Sequence, residues 1–186
     1  VSMAARGPWI ITTKGAVLHD NGGYGMLGFG HVPEPIIAAM TKPQVMANVM
    51  TPSFAQLKLS NALAREIGQT HEGGCPFSHF VAMNSGSESV SVATRIADVN
   101  AKILTDEGGR HAGKPVKKMS LSGGFHGRTG RPAMFSDSCR GSYDKYLASF
   151  RTEELLTVEP NDIGDLETHF TKADEDGYFI EALFIE

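Results

Sequence analysis

Residues 77–104 read FSHFVAMNSGSESVSVATRIADVNAKIL. The segment 77–83 reads as a strand, and 84–86 as a tight turn. From 87 to about 104, Val90, Ala93, Ala97, Ala101 and Leu104 recur at three- and four-residue steps, as on one buried face of a helix. The alternation continues downstream. Segments 116–121 and 155–158 read as strands, 163–172 as an amphipathic helix, and 179–185 as an almost continuously apolar strand of the kind buried on both faces. Strands alternating with helices predict an α/β fold with a mainly parallel sheet and flanking helices.

Upstream the signal is weaker. The first 31 residues are glycine-rich, most of all in NGGYGMLGFGH at 21–31, which predicts turns and close backbone approach in place of regular elements. A short helix is expected over 36–40, ended or kinked by Pro43. A better one is expected over 53–67, with Leu59, Ala62, Leu63 and Ile67 on one face and Gly68 as its stop.

Composition sets the limits. The chain has 186 residues, 17 Lys and Arg against 21 Asp and Glu, and a net charge of −4, with 41% hydrophobic and 20% charged residues. These are globular values and disfavour disorder or a coiled coil. The charge balance gives no reason to expect nucleic acid as a partner. No run approaches the ~18 apolar residues of a membrane span, and no signal peptide is visible. Cys75 and Cys139 lack C-x-x-C spacing and read as free thiols in a reducing compartment, so a cytoplasmic location is expected. The seven histidines show no metal-ligand spacing, so no metal is expected. Residues 101–151 hold ten bases and four acids, and 153–186 eleven acids and one base. Solvated faces account for such an asymmetry, or part of the basic stretch faces an anionic ligand.

In an open α/β sheet, ligands bind beyond the carboxyl ends of the strands. Three segments have that placement. In Asn84-Ser-Gly-Ser-Glu88, Ser85 and Glu88 have capping-box spacing, so the turn is either a capped helix start or a phosphate site built on exposed N–H groups. It does not satisfy the Gly-x-Ser-x-Gly of a hydrolase nucleophile elbow. In Ser122-Gly-Gly-Phe-His-Gly-Arg-Thr129, Phe125 can stack on a planar heterocycle and Arg128 can grip a carboxylate with two parallel hydrogen bonds. Otherwise Phe125 is core and Arg128 a surface charge. The third is Glu186, after the last apolar strand.

Together, Asn-Ser-Gly-Ser-Glu at 84–88, Gly-Phe-His-Gly-Arg-Thr at 124–129 and Gly-Tyr-Gly-x-Leu-x-x-Gly-His at 23–31 resemble the class III aminotransferases, pyridoxal-phosphate enzymes of fold type I. The resemblance spans residues 20–186. It implies an N-terminal segment over 1–48 and an incomplete cofactor-binding large domain over 49–186. It implies that Ser85, Gly86 and Ser87 bind the cofactor phosphate, that Phe125 stacks on the pyridine ring, and that His126 belongs to the same loop. Glu186 is similar to the glutamate of the family's Glu-Pro motif near the cofactor. Arg128 is implied to hold a substrate carboxylate, and Tyr24 to line the substrate side. After Thr129 the chain has Gly130-Arg131-Pro132 in place of a bulky apolar residue and small ones, which leaves the substrate open within the class.

The activity so implied is transfer of an amino group from an amino acid or ω-amino compound to an oxo acid, in a homodimer. An aminomutase, a non-catalytic relative and, outside the family, a serine hydrolase are the alternatives. The family's Schiff-base lysine follows the Glu-Pro motif. The chain is therefore expected to be a fragment, inactive alone, with no catalytic residue of its own.

Overall fold

The computed structural model describes residues 1–21, 28–43, 45, 51, 53–150 and 154–186. The chain divides into two units, Val1–His79 and Phe80–Glu186.

The first unit opens with three short strands, β1 (Ser2–Arg6), β2 (Trp9–Thr12) and β3 (Val17–His19), paired as an antiparallel meander in the order β1-β2-β3. This corrects the expectation of no regular element before residue 31. Gly7-Pro8 and Thr13-Lys14-Gly15 break the segment into pieces of three to five residues, too short for alternation to register. Ala4 and Ala5 in β1 also lack the β-branched signature of a strand. Arg6 nevertheless pairs with Trp9, and Trp9 with His19. Gly30 lies so close to Gly7 that a Cβ there would stand 2.8 Å from its carbonyl carbon.

Helix α1 (Glu34–Met40) starts with Pro35 in its first turn, where a missing N–H costs nothing. Helix α2 (Phe54–Gly68) is launched by a capping box. The Ser53 hydroxyl accepts the Gln56 N–H, and the Gln56 side chain accepts the Ser53 N–H. Gly68, expected as the stop, is the last helical residue. A Cβ there would come within 3.0 Å of the Cys75 nitrogen.

The second unit is the α/β body. Helix α3 (Gly86–Thr105) leads to strand β4 (Val116–Leu121). Short helix α4 (Gly130–Ala133) and helix α5 (Arg140–Tyr146) follow, then β5 (Leu155–Val158), α6 (Ile163–Glu175) and β6 (Phe179–Phe184). The sheet order is β5-β4-β6, and both pairings are parallel, as the sequence predicts. Its core is built on Met119, Phe135, Thr94, Leu155 and Val158. Among the described residues, no helix is long and apolar enough to cross a membrane.

Two expectations fail here. Residues 77–83 form no strand. No described strand runs alongside them to share hydrogen bonds, and Phe77 and Val81 are exposed. Strand β6 is present, but Glu181 is its only fully buried residue, while its apolar neighbours are half-buried. That carboxylate is neutralised by Arg131 of α4 at 2.5 Å. Register aligns Leu121 with Val158 and Ser120 with Phe184, so the carboxyl ends of all three strands meet at one edge.

Candidate functional site

Helix α3 begins without an acceptor for its first N–H groups, as every helix must. The Ser85 hydroxyl accepts the Glu88 N–H at 3.2 Å. Glu88 reaches back past the cap to accept the Asn84 N–H at 2.8 Å, one residue upstream of a true capping box. Two donors remain, the N–H groups of Gly86 and Ser87, at the positive end of a 20-residue helix. Nothing lies within 4 Å of where a Gly86 Cβ would be, so the space before this turn is open.

The loop after β4 closes against that helix start. Gly127 has φ +121°, and a Cβ on it would fall 2.5 Å from Ser87 Oγ and 3.0 Å from Ser87 Cα. Only glycine lets the loop approach so closely. The Arg128 N–H donates to Ser87 Oγ at 3.4 Å, and the Thr129 and Ser91 hydroxyls lie 3.3 Å apart. The turn at 85–87 and the loop at 124–129, 37 residues or more apart in the chain, thus form one surface.

Phe125 is 38% exposed, and the Arg128 guanidinium sits over its ring at 5.6 Å. Its N–H donates to the Glu186 carboxylate at 2.6 Å, tying the end of β6 to the loop. His126, by contrast, is buried, packed edge-on against Phe184 with ring centroids 5.8 Å apart. Burial pushes its imidazole below the ordinary histidine value, with the Glu186 charge opposing, so the ring is neutral at neutral pH. Its Nε2 is buried without a hydrogen-bond partner.

Of the residues singled out in the sequence, the structure brings Ser87, Phe125, Arg128 and Glu186 together, with His126 beneath them. Ser85 and Gly86 lie in the adjoining turn. Tyr24 lies outside the described residues. Sequence reasoning missed three supports. The Ser136 hydroxyl accepts the His126 N–H, the Asp137 carboxylate accepts the Gly123 N–H, and Tyr143 stands near Arg128. The Tyr143 phenol is pushed up by burial and by the Cys139 thiol beside it, with Arg128 opposing. None carries a local signal, because each reaches the 123–128 loop from nine or more residues away.

The family model for aminotransferase class III matches residues 1–171. The chain belongs to the class III aminotransferases. This class uses pyridoxal 5'-phosphate, and its members are small-molecule enzymes of fold type I, whose large domain contains a parallel sheet like β5-β4-β6. No curated protein matches the sequence.

Among solved structures, the class III chain is similar to ornithine aminotransferase from Toxoplasma gondii, with a TM-score of 0.75 and 17% identity over 100% of this chain and 40% of that one. An omega-aminotransferase from Paracoccus denitrificans gives 0.64 and 18% over 100% and 43%. A phospholyase from Arthrobacter, solved with phosphoethanolamine, gives 0.70 and 15% over 100% and 42%. At such identities the likeness is one of fold. The chain spans about 40% of the length of the Toxoplasma enzyme.

The donor set fits the class cofactor: two free N–H groups at a helix start for a phosphate, and an aromatic face for a ring.

Proposed function

We propose that this chain forms the cofactor-holding part of a pyridoxal-phosphate-dependent transaminase moving an amino group from an amino acid or ω-amino compound to an oxo acid. The observation that carries the reading is the closure of the 124–129 loop on the start of α3 through Gly127 and Ser87. It puts phosphate donors and an aromatic face on one surface. When bound, pyridoxal phosphate supplies the electron sink for the chemistry.

The residues have distinct tasks in this reading. Ser85, Gly86 and Ser87 hold the phosphate, Phe125 stacks on the ring, and neutral His126 fills the floor beneath. Glu186 fixes Phe125 through its N–H, and Arg128 orients a substrate carboxylate. Tyr24 is assigned to the substrate side, residues 1–48 to an N-terminal segment and 49–186 to the cofactor domain. A homodimeric, cytoplasmic protein belongs to the same reading. A serine hydrolase is disfavoured, because the Ser85 and Ser87 hydroxyls both serve as acceptors for backbone N–H groups.

A screen of amino donors on the native protein, with 2-oxoglutarate and pyruvate as acceptors, tests the activity. Appearance of glutamate or alanine is expected, and failure with every donor would overturn it. Replacing Arg128 by Lys tests the carboxylate grip. Lysine offers a point charge in place of a planar fork. Catalytic efficiency (kcat/KM) for carboxylate-bearing substrates should fall ~10–100-fold, about 1.4–2.8 kcal/mol. Simple amines should change little, and equal losses on both would make Arg128 structural.

We further assign the Schiff-base lysine to a position outside this chain. In the second unit, Lys118 is buried against Glu154 at 2.7 Å, and Lys117 lies over the Tyr178 ring. Both sit at the start of β4, away from the ligand edge. Lys102 pairs with Asp106, and Lys114 with Asp174. Borohydride reduction of the native holoprotein should label none of the nine lysines present here. Stoichiometric labelling of any one would refute the assignment.

A further inference from the structure

Phe125 can serve as a stacking face only if its backbone is held, and the loop that carries it has glycines at 123, 124 and 127. Two side chains supply the restraint from outside the loop. Glu186 accepts the Phe125 N–H at 2.6 Å. Ser136, completely buried, accepts the next one, the His126 N–H, at 2.9 Å. The Ser136 hydroxyl has one proton to give, and two carbonyls compete for it, Gly127 at 2.9 Å and Pro132 at 3.0 Å. One hydroxyl therefore accepts from the peptide group that precedes His126 and shares its proton between the carbonyl of Gly127 and that of Pro132 in α4.

The neighbouring contacts show what that grip decides. The His126 ring packs on Phe184 but ties the loop down with no hydrogen bond from Nε2, which has no partner. Nor is the Phe125 side chain locked in the core, since it is 38% exposed. Gly127, at φ +121°, passes so close to Ser87 that a Cβ would not fit, and its carbonyl is one of the two that Ser136 can bind. A Ser136 without its hydroxyl would free that carbonyl and leave the His126 N–H buried without an acceptor. The peptide between Phe125 and His126 could then rotate, and the ring would turn with it.

We propose that Ser136 is a positioning residue for the cofactor site, which orients Phe125 by fixing the His126 and Gly127 peptide groups. This rests on the reading of Phe125 as the stacking residue. Preorganisation of this kind pays off in ligand affinity, because the site has less freedom to lose on binding.

The test is a double-mutant cycle on the native protein, read as the dissociation constant of pyridoxal phosphate and the absorbance maximum of the bound cofactor. Ser136→Ala is expected to weaken binding ~10-fold and shift the maximum, with Ser136→Cys, a weaker donor and acceptor, in between. In a Phe125→Ala background, Ser136→Ala should cost less than twofold more. Additive losses would overturn the proposal, since Ser136 would then act independently of Phe125. A Ser136→Ala protein with wild-type affinity would also overturn it, as would a failure of both Ser136 variants to fold, which makes the residue structural alone. If Phe125→Ala by itself leaves affinity unchanged, the stacking role of Phe125 is what fails, and the role of Ser136 falls with it.

Discussion

Replacing Ser87 by Asp is expected to lower the affinity for pyridoxal phosphate by ~100-fold or more, about 2.8 kcal/mol at 1.4 kcal/mol per decade. A hydrogen bond to a charged group is worth ~1.5–3 kcal/mol, and the substitution sets a carboxylate against the phosphate that such bonds would hold. The fold itself should tolerate the change. An acidic residue in the first turn of α3 favours the helix dipole by ~0.3–1 kcal/mol, and a carboxylate can still accept the Arg128 N–H that Ser87 accepts now. Ser87→Ala is the control. It loses that acceptor but keeps the backbone donor, and should weaken binding less than tenfold. Titrating the native apoprotein with the cofactor measures both. If Ser87→Asp binds as the parent does, the phosphate does not sit at this turn.

Much of the second unit was legible because its signals are local and agree with one another. For α3, apolar periodicity, the Ser85 cap and the acidic Glu88 all give the same start. Strands β4 and β5 end where the apolar runs end. What stayed illegible depends on distant partners. The apolar stretch 77–83 has a strand's composition, but a strand also needs a neighbour, which its own residues cannot supply. Strands β1 to β3 are the converse, weak segments that register because each pairs with the strand next to it in the chain. At the site, Ser87, Phe125 and Arg128 stand in recognisable turns. The Glu186–Phe125 bond spans 61 residues, and the Ser136 hydroxyl chooses among backbone groups that look alike in sequence.

Glu181 was hidden for the same reason, and it yields the second large effect. Its side chain is 2% exposed, and Arg131 approaches it at 2.5 Å while also reaching Asp98 of α3 at 3.4 Å. Breaking a buried pair by removing one partner costs ~3–5 kcal/mol, because an uncompensated charge is left behind. Arg131→Met should therefore destabilise the native protein by about that amount at neutral pH. Asp98 adds little to this loss, since it is more exposed and keeps Arg95 as a second partner at 3.4 Å. The pH dependence has a definite sign. Burial pushes the Glu181 carboxyl above its ordinary value, and Arg131 and Lys118 pull it back. Without Arg131 it rises further, so the folded variant holds a proton that the unfolded chain, titrating near ~4.3, releases. The stability this proton confers is complete below that value and lost as pH rises through the folded one. The deficit of Arg131→Met should accordingly shrink as the solution is acidified toward about pH 4. Denaturation midpoints across that range check it, and a deficit that is small, or the same at every pH, would show that Glu181 does not depend on Arg131. Arg131→Met with Glu181→Leu should recover most of the loss, because an apolar pair needs no compensation. The consequence reaches the site. Asp98 lies on the helix that opens with the 85–87 turn, Arg131 on α4 just past the 124–129 loop, and Glu181 on the strand that leads to Glu186. The ion pair fixes these three elements to one another behind the surface on which Phe125 and the Gly86 and Ser87 donors are displayed, so the double variant should restore stability without restoring full cofactor affinity.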